Sequence, residues 1–156
     1  MDRKYMDIAL IEAKKAAQDG EVPVGAIVVK GDKVISVGRN RREKHHSAVA
    51  HAEIEAIENA CEALESWRLD DCDLYVTLEP CPMCSGAIIN SRIKTVIFGA
   101  YDTKAGSLGS VANFANLPYS YSPEVYGGIC EQECSDVLRD FFKNLRELKT
   151  DKDEDN

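Results

Sequence analysis

The sequence predicts an α/β fold, a three-layer α/β/α sandwich around a central five-stranded mixed sheet. Stretches of helical and of strand periodicity alternate along the chain in the order αββαβα and then β(α)βα. A short turn separates the first two strands, which is typical of an antiparallel hairpin, and a helix separates the third strand from the fourth, which is typical of a parallel pair. The sheet should therefore be mixed, with helices covering both of its faces.

The start of the chain predicts a helix followed by a hairpin. Apolar residues recur at helical spacing from Tyr5 to Ala17, and Gly20 supplies a stop signal. β-Branched residues are frequent in Val24–Val29 and in Val34–Val37, which predicts two strands. The Gly31-Asp32 pair between them suits a tight turn, so the two strands should pair antiparallel.

The middle of the chain predicts two helices alternating with two strands. Apolar residues at positions 54, 57, 61 and 64 mark one face of the first helix, and the run 74–78 has the character of a short buried strand. The second helix is predicted over Pro82–Ser91, because proline is favoured at the first helical position. Thr95–Phe98 then predicts the next strand.

The last third of the chain predicts a long loop, a weak strand and a long helix. Gly99–Pro123 is rich in Gly, Ser, Asn, Pro and Tyr, with one short helix near Ser110–Leu117. Glu124–Ile129 predicts a weaker fifth strand, and the apolar residues from Cys134 to Leu148 follow the period of an amphipathic helix. Loops of this composition often carry specificity.

Length and composition bound the class of protein. With 156 residues, of which 44% are hydrophobic, we expect one domain over residues 1–149 and an acidic, disordered tail over 150–156. We find no apolar run of about 18 residues and no signal-peptide pattern, so we expect a cytoplasmic protein without a membrane partner. In that reducing compartment the six cysteines indicate metal binding or catalysis rather than disulfides.

The charge distribution says more than the total charge. The formal net charge of −8 argues mildly against a nucleic-acid partner, because phosphate binding relies on Lys and Arg. Much of that excess lies in the acidic tail, which says little about a site. One cluster is basic instead: Arg39, Arg41, Arg42 and Lys44, opposed by Glu43. This basic cluster is either a solvated loop or a nucleic-acid contact, and the residues alone leave both readings open.

The strongest chemical pattern joins His51-Ala52-Glu53 to Pro80-Cys81-Pro82-Met83-Cys84. Each half alone is weak, but together they match the H-x-E and P-C-x-x-C signature of zinc deaminases that act on nucleobases. One imidazole and two thiolates give zinc three ligands and leave the fourth tetrahedral position open, which is typical of a catalytic site. Cys81 and Cys84 also lie near a predicted helix N-terminus, where the helix dipole favours thiolates.

Glu53 lies two residues after His51, so its carboxylate can face a water molecule at the metal without being a ligand. We expect Glu53 to shuttle protons from that water to a purine ring nitrogen and to the departing ammonia. The alternative is a closed structural zinc site in which Glu53 has no special role. A fourth protein ligand would then come from His45, His46 or Cys72.

Further segments of the chain match a known family. They are Glu21-Val22-Pro23-Val24-Gly25-Ala26, Gly38-Arg39-Asn40-Arg41, Leu74-Tyr75-Val76-Thr77-Leu78-Glu79-Pro80, Phe98-Gly99-Ala100, Asp102-Thr103-Lys104-Ala105-Gly106-Ser107 and Asp140-Phe141-Phe142. On these segments the chain resembles bacterial tRNA adenosine deaminases along nearly all of its length. The resemblance implies a cytidine deaminase-like fold, one zinc ion per subunit and a homodimer. It also implies that the substrate is the wobble adenosine in the anticodon stem-loop of an arginine tRNA, which is converted to inosine.

The same resemblance assigns substrate contacts. It implies that Asn40 hydrogen-bonds the edge of a flipped base, that Val24 packs against the nucleobase, and that Asp102 and Lys104 lie in a loop meeting the anticodon backbone. It favours Phe142 for contact with RNA, where an aromatic ring can stack on a base. From the residues alone, Asn40 and the segment around Asp102 are also readable as ordinary turns.

The chain departs from the family pattern in two places. Ser120-Tyr121-Ser122 stands where many members carry Asn-His-Arg, and Tyr101 stands where a basic residue is common. Both changes remove positive charge from the expected RNA footprint, although a tyrosine ring can still stack on a base.

Three other functions share parts of the pattern. A deaminase of guanine or of free nucleosides would use the same zinc and the same glutamate, and only the loop 102–107, the basic cluster and Phe142 favour RNA. A noncatalytic zinc-containing RNA-binding module would tolerate loss of Glu53, which is present. The resemblance places the Asp102 carboxylate near the sugar, where it could accept a hydrogen bond from a 2′-hydroxyl that DNA lacks, so Asp102 should disfavour deamination of DNA.

Overall fold

A computed structural model describes residues 1–154 and shows five strands in one sheet. The helices are α1 (Arg3–Gln18), α2 (Ala52–Leu64), α3 (Pro82–Ser91) and α4 (Glu131–Glu154), with a short 3₁₀ turn at Phe114–Asn116. The strands are β1 (Gly25–Lys30), β2 (Lys33–Arg39), β3 (Cys72–Leu78), β4 (Thr95–Ala100) and β5 (Glu124–Tyr126).

The sheet is mixed and has the strand order β2-β1-β3-β4-β5. β1 pairs antiparallel with both β2 and β3, whereas β4 pairs parallel with both β3 and β5. The hairpin between β1 and β2 closes on the pair Lys30 and Lys33, and Gly31 takes a φ of +64° that glycine adopts without strain. The predicted antiparallel hairpin and the predicted parallel pair are both confirmed.

Helices cover both faces of the sheet. Alternate residues of β1 point to opposite sides, so that Val28 joins a core with α2 and α3 while Ile27 and Val29 join a core with α1 and α4. Both cores are continuous with side chains of β3 and β4. This arrangement confirms the predicted three-layer α/β/α sandwich.

Two short elements differ from the sequence-based expectation. β5 ends at Tyr126 rather than Ile129, because two glycines follow and Gly128 takes a φ of +87°, outside the extended region that a strand requires. The helix expected over residues 110–117 is only the 3₁₀ turn at Phe114–Asn116. Leu117 is already extended, as a residue before proline usually is.

The C-terminal tail also differs from expectation in part. The tail 150–156 is expected to be disordered, yet α4 continues through Glu154, and residues 155 and 156 lie outside the described part of the chain. Extending a helix that has already formed costs little, and Glu and Lys are good helix formers. Within residues 1–154, none of the helices is long and apolar enough to cross a bilayer.

Candidate metal centre and active-site cavity

The N-termini of two helices meet just beyond the end of β3. His51 is the N-cap residue of α2, Cys81 is the N-cap residue of α3, and Cys84 lies in the first turn of α3. Pro82 starts α3, since its fixed φ suits the first helical position and its missing N–H would have had no partner there. The local sequence therefore brings an imidazole and two thiols to one point.

The three ligand atoms have the spacing that a zinc ion requires. His51 Nδ1 lies 3.6 Å from Cys81 Sγ and 3.5 Å from Cys84 Sγ, and all three atoms lie within 4.8 Å of one another. With Zn–S bonds of about 2.3 Å and Zn–N bonds of about 2.0 Å, tetrahedral geometry sets the S···N separation at about 3.5 Å. The donor set and its dimensions fit a zinc ion.

Electrostatics prepare this site for a cation. The pKa of the Cys81 thiol is lowered to about 4, chiefly by the hydrogen bond from Cys84 and also by His51, against the opposing effect of burial. The hydrogen bond with Cys81 raises the pKa of His51. The pKa of Cys84 is also raised, first by its hydrogen bond with Cys81 and second by burial. These directions favour a thiolate at Cys81, and binding of a metal to both cysteines would release the proton held by the pair.

Glu53 lies beside this group without belonging to it. Its side chain is 4% exposed in the first turn of α2, and burial raises the pKa of its carboxyl group. Glu53 lines the same cavity as His51 and Cys81. A buried carboxyl group whose pKa is raised by burial is suited to accept and return a proton.

The proposed alternative fourth ligands lie elsewhere. Among the described residues, the group able to hold a metal consists of His51, Cys81 and Cys84. His45 and His46 are exposed in the preceding loop, and Cys72 is buried at the start of β3. The arrangement therefore favours a site with an open coordination position over a closed structural site.

A cavity of about 220 Å³ opens beside the three ligand atoms. It is lined by Val22, Val24, Asn40, Arg42, His51, Ala52, Glu53, Leu78, Glu79, Cys81, Asp102 and Ala105. The structure thus brings Val24, Asn40 and Asp102, three of the expected substrate contacts, to one cavity. Lys104 and Phe142 line a separate groove along α4 instead.

That second groove carries positive charge. Besides Lys104 and Phe142 it is lined by Arg139, Leu145, Arg146 and Lys149. A third depression connects it to the active-site cavity, since Phe142 shares that depression with Asn40 and Arg42. We call these two joined depressions the basic groove; its lining includes Asn40, Arg42, Lys104, Arg139, Phe142, Arg146 and Lys149.

Asn40 is held in place by its own backbone neighbours. Its side chain is 7% exposed, its Nδ2 donates to the Val22 carbonyl at 3.2 Å, and its Oδ1 accepts from the Arg42 N–H at 3.2 Å. An amide has two donor hydrogens and two acceptor lone pairs, so one donor and one acceptor remain for a ligand. The Asn40 side chain is therefore held in one orientation by its backbone neighbours.

Asp102 both shapes its loop and borders the cavity. Its Oδ1 accepts from the N–H groups of Lys104 at 3.0 Å and Ala105 at 3.1 Å. Its Oδ2 has no hydrogen-bond partner within the described chain and is available to a ligand. One oxygen of this carboxylate thus stabilises the turn, and the other remains free to accept a hydrogen bond.

Sequence reasoning missed Glu79 as a residue of this cavity. Glu79 is 2% exposed, although it directly follows β3 and carries a carboxylate. The signal was present, because a charged residue between a buried strand and the metal-binding motif is unusual. Arg42, which was noted only as part of the basic cluster, also lines the cavity.

Comparisons with known proteins agree with this geometry. The family model of the MafB19-like deaminases matches residues 1–146. The tRNA-specific adenosine deaminase of Bacillus subtilis (strain 168) is 46% identical over 149 residues, which cover 95% of this chain and 92% of that protein. A solved structure from a study of A-to-I editing by tRNA:A34 deaminases at the wobble position matches with a TM-score of 0.85 and 43% identity, covering 88% of this chain and all of that one.

A guanine deaminase also shares the architecture. The enzyme from Nitrosomonas europaea superimposes with a TM-score of 0.76 over 90% of this chain and 84% of its own, but it is only 23% identical. At that identity the likeness shows a common fold and leaves the substrate to be decided by the residues of the cavity.

Proposed function

The chain belongs to the tRNA-specific adenosine deaminase family, and on that premise we propose that it converts the wobble adenosine of a tRNA anticodon to inosine by hydrolysis. The observation that carries the proposal is the placement of Glu53 in one cavity with the His51, Cys81 and Cys84 group. Asn40 and Asp102 on the cavity walls offer hydrogen-bonding groups to a base and to a ribose. We further propose that an arginine tRNA is the substrate.

We assign the ligand role to His51, Cys81 and Cys84, which would hold one zinc ion per subunit. Zinc bound in this way supplies a Lewis acid that lowers the pKa of a water molecule to about 7, which makes it a nucleophile towards the amine-bearing carbon of adenine. With only these three protein ligands, a bound zinc ion would have a fourth coordination position for the reacting molecule.

The protein residues then move protons and orient the base. Glu53 accepts one proton of the attacking water on its carboxylate and delivers it to the purine ring nitrogen. It then takes the remaining proton of the added hydroxyl group and passes it to the amine, which leaves as ammonia as the C–N bond breaks and the C=O bond of inosine forms. Asn40 hydrogen-bonds the base edge through its remaining donor and acceptor, and Val24 packs on the ring. Val24, Asn40 and Glu53 are themselves buried, so the part of the cavity that they line is shielded from bulk water.

The basic groove would hold the phosphates that flank the flipped base. Lys104, Arg139, Arg146 and Lys149 provide the local positive charge that the acidic chain lacks overall. Phe142 is 41% exposed beside them and offers a ring on which a neighbouring base can stack. A groove that continues from the cavity suits a nucleotide inside an RNA loop better than a free purine.

We propose that the chain works as a homodimer in the cytoplasm, where tRNA is found, and that residues 1–149 form one domain. Exposed apolar side chains in the segment between β4 and β5 support a self-association face: Val111, Leu117 and Tyr119 are 61%, 41% and 56% exposed. Light scattering of the purified protein tests this directly. A mass near the monomer value of 17.2 kDa at micromolar concentration would contradict it.

The activity is tested with an arginine anticodon stem-loop as substrate, beside free guanine and free adenosine. Inosine formed only in the RNA, and lost in Glu53→Ala, is the expected result. Ammonia released from free guanine without inosine in the RNA would assign the chain to the small-molecule deaminases. RNA binding without any turnover would instead support the noncatalytic module.

A further inference from the structure

Glu79 is a buried carboxylate to which the proposed chemistry assigns no role. It follows the last residue of β3 and lies two residues before Cys81. Its side chain is 2% exposed, and it forms no salt bridge with any cation of residues 1–154. Removing a carboxylate from water costs free energy, and without an ion pair this cost must be offset by hydrogen bonds.

All of the hydrogen bonds to Glu79 come from one loop. Oε1 accepts from the Asp102 N–H at 3.2 Å and from the Ser110 hydroxyl, while Oε2 accepts from the N–H groups of Leu108 at 3.2 Å and Ser110 at 3.0 Å. The donors are 23 to 31 residues further along the chain. Each carboxylate oxygen thus receives two donors, and both ends of the segment 102–110 are tied to the same side chain.

Gly106, in the middle of that segment, closes tightly over the carboxylate. An added Cβ at Gly106 would lie 2.3 Å from Glu79 Cδ and 2.4 Å from Glu79 Oε2. The loop backbone at Gly106 therefore packs directly against the Glu79 carboxylate, and only glycine fits at this position. This contact is independent of the hydrogen bonds and indicates the same partner.

The segment held in this way forms one wall of the cavity. Asp102 and Ala105 line the cavity together with Val24 and Asn40. Residues 101–113 contain no strand or helix of their own, so their position depends on such tertiary ties. The oxygens of Glu79 are occupied by the loop donors, which leaves the side chain a structural connection to that wall.

A second buried carboxylate acts in the same way on another side of the cavity. Glu21 is 2% exposed and accepts from the N–H groups of Glu43 at 2.9 Å and Lys44 at 3.1 Å. That loop contains Arg42, which lines the cavity. Two loops that frame the site are thus each organised around one buried acidic side chain.

We propose that Glu79 is a positioning residue that sets substrate affinity by holding the segment 102–110 against the cavity. The inference rests on the proposed function for its kinetic consequence, but not for its structural one. Without Glu79, the N–H groups at 102, 108 and 110 lose their acceptor and turn to water, which moves Asp102 away from the bound nucleotide. The metal ligands and Glu53 are held by α2 and α3 and stay in place.

Glu79→Gln is the variant that tests this, because it keeps the size of the side chain. In either orientation of the amide, its NH₂ group faces at least one backbone N–H that needs an acceptor: that of Asp102 at the Oε1 position, or those of Leu108 and Ser110 at the Oε2 position. We expect faster hydrogen exchange at the amides of 102, 108 and 110, a zinc content equal to wild type, and a KM for the anticodon stem-loop raised about tenfold at nearly unchanged kcat. Glu62→Gln, an exposed change of the same chemistry on α2, should match wild type in all of these.

Several outcomes would overturn the role assigned to Glu79. Unchanged exchange at these amides would do so, and so would a fall in kcat at unchanged KM, since Glu79 would then act on the chemistry. If Glu79→Gln does not fold, Ser110→Ala decides, because it removes one donor and leaves the carboxylate in place. It should raise KM about threefold with faster exchange of the segment, and wild-type values for both would overturn the inference.

The two proposals fail in different ways. If the wild-type protein forms no inosine in the stem-loop, the proposed function fails, while hydrogen exchange of Glu79→Gln still decides whether Glu79 holds the loop. If the wild type is active and Glu79→Gln shows wild-type exchange and KM, only the role of Glu79 fails.

Discussion

The Nδ1 atom of His51 lies 3.5 Å from the Sγ atom of Cys84, although 33 residues separate them along the chain. His51 starts α2 and Cys84 lies in the first turn of α3, so this contact joins two helices across the end of β3. A metal ion bound to both side chains would link the helices, and its binding free energy would add to the free energy of unfolding.

Removal of the metal should therefore affect both activity and stability. We expect a strong chelator to abolish inosine formation and to lower the Tm by about 10 °C, since a ligand at a thousand times its Kd contributes about 4 kcal/mol. Addition of zinc should restore both. Elemental analysis, thermal unfolding and the stem-loop assay on the same samples check this.

Matched cysteine variants separate the metal site from the other thiols. Cys81→Ser should lose zinc and activity together, whereas Cys61→Ser, at a half-buried thiol on α2 outside the site, should keep both. Full turnover in metal-free protein would contradict the zinc mechanism.

Glu53 should be needed for turnover but not for metal binding. Glu53→Gln keeps the shape of the side chain and removes its ability to accept a proton, so kcat should fall about 10³-fold at equal zinc content. Glu58→Gln, at an exposed position of the same helix, is the matched control and should keep wild-type kcat. Retention of about a tenth of the activity in Glu53→Gln would show that another group moves the proton.

The sequence predicts most of the fold because its elements follow strong local rules. The runs that became β3 and β4 are short, apolar and separated by a helix that begins at Pro82, so their parallel pairing is confirmed in the structure. The histidine and the two cysteines were singled out from motif spacing alone. The helix start at the cysteine motif was predicted too. The structure adds that this helix start meets that of α2 at His51, which brings the three side chains within ligand distance of one another.

The buried glutamates that hold the loops around the cavity could not be predicted from periodicity or motif spacing. Glu79 and Glu21 act through hydrogen bonds to backbone N–H groups more than 20 residues away, and neither helical nor strand periodicity encodes such contacts. The end of α4 was missed for a different reason. Acidic composition suggested a disordered tail, whereas helix propagation depends on the preceding turns.

Gly38 offers a test of how closely the sheet must approach the site. An added Cβ on Gly38 would lie 2.4 Å from the carbonyl oxygen of Ala52 and 2.6 Å from the N atom of Ala56, which are backbone atoms of α2. Gly38→Ala must displace the start of that helix, and with it His51. We expect a loss of about 1–3 kcal/mol in the free energy of unfolding, measured with urea, and weaker zinc retention.

Val37→Thr is the matched control for this change. Val37 is the preceding residue of β2 and is 38% exposed, and threonine keeps the β-branched shape that a strand favours. Its free energy of unfolding should stay within about 0.5 kcal/mol of wild type. Equal stability and equal zinc retention in Gly38→Ala would mean that α2 can shift without loss, contrary to the close packing seen here.

Asp102 should decide between ribose and deoxyribose. Its Oδ1 accepts from Lys104 and Ala105, while its Oδ2 has no partner in the described chain. Asp102→Asn can keep the first acceptor and replace only the second oxygen with a donor, so the loop should hold its shape. We expect kcat/KM on the RNA stem-loop to fall about tenfold with little change on the same loop carrying deoxyadenosine, since one hydrogen bond to a charged group contributes about 1.5–3 kcal/mol.

The comparison must be made on matched substrates that differ only at the reacting sugar. Thr103→Ala, at the exposed neighbouring position, should leave the ratio of RNA to deoxyadenosine activity at its wild-type value. An unchanged ratio in Asp102→Asn would refute the ribose contact, because the lost oxygen is the one left free for a 2′-hydroxyl. A parallel fall on both substrates would indicate that Asp102 acts through the shape of its loop, and thus through the same wall that Glu79 holds.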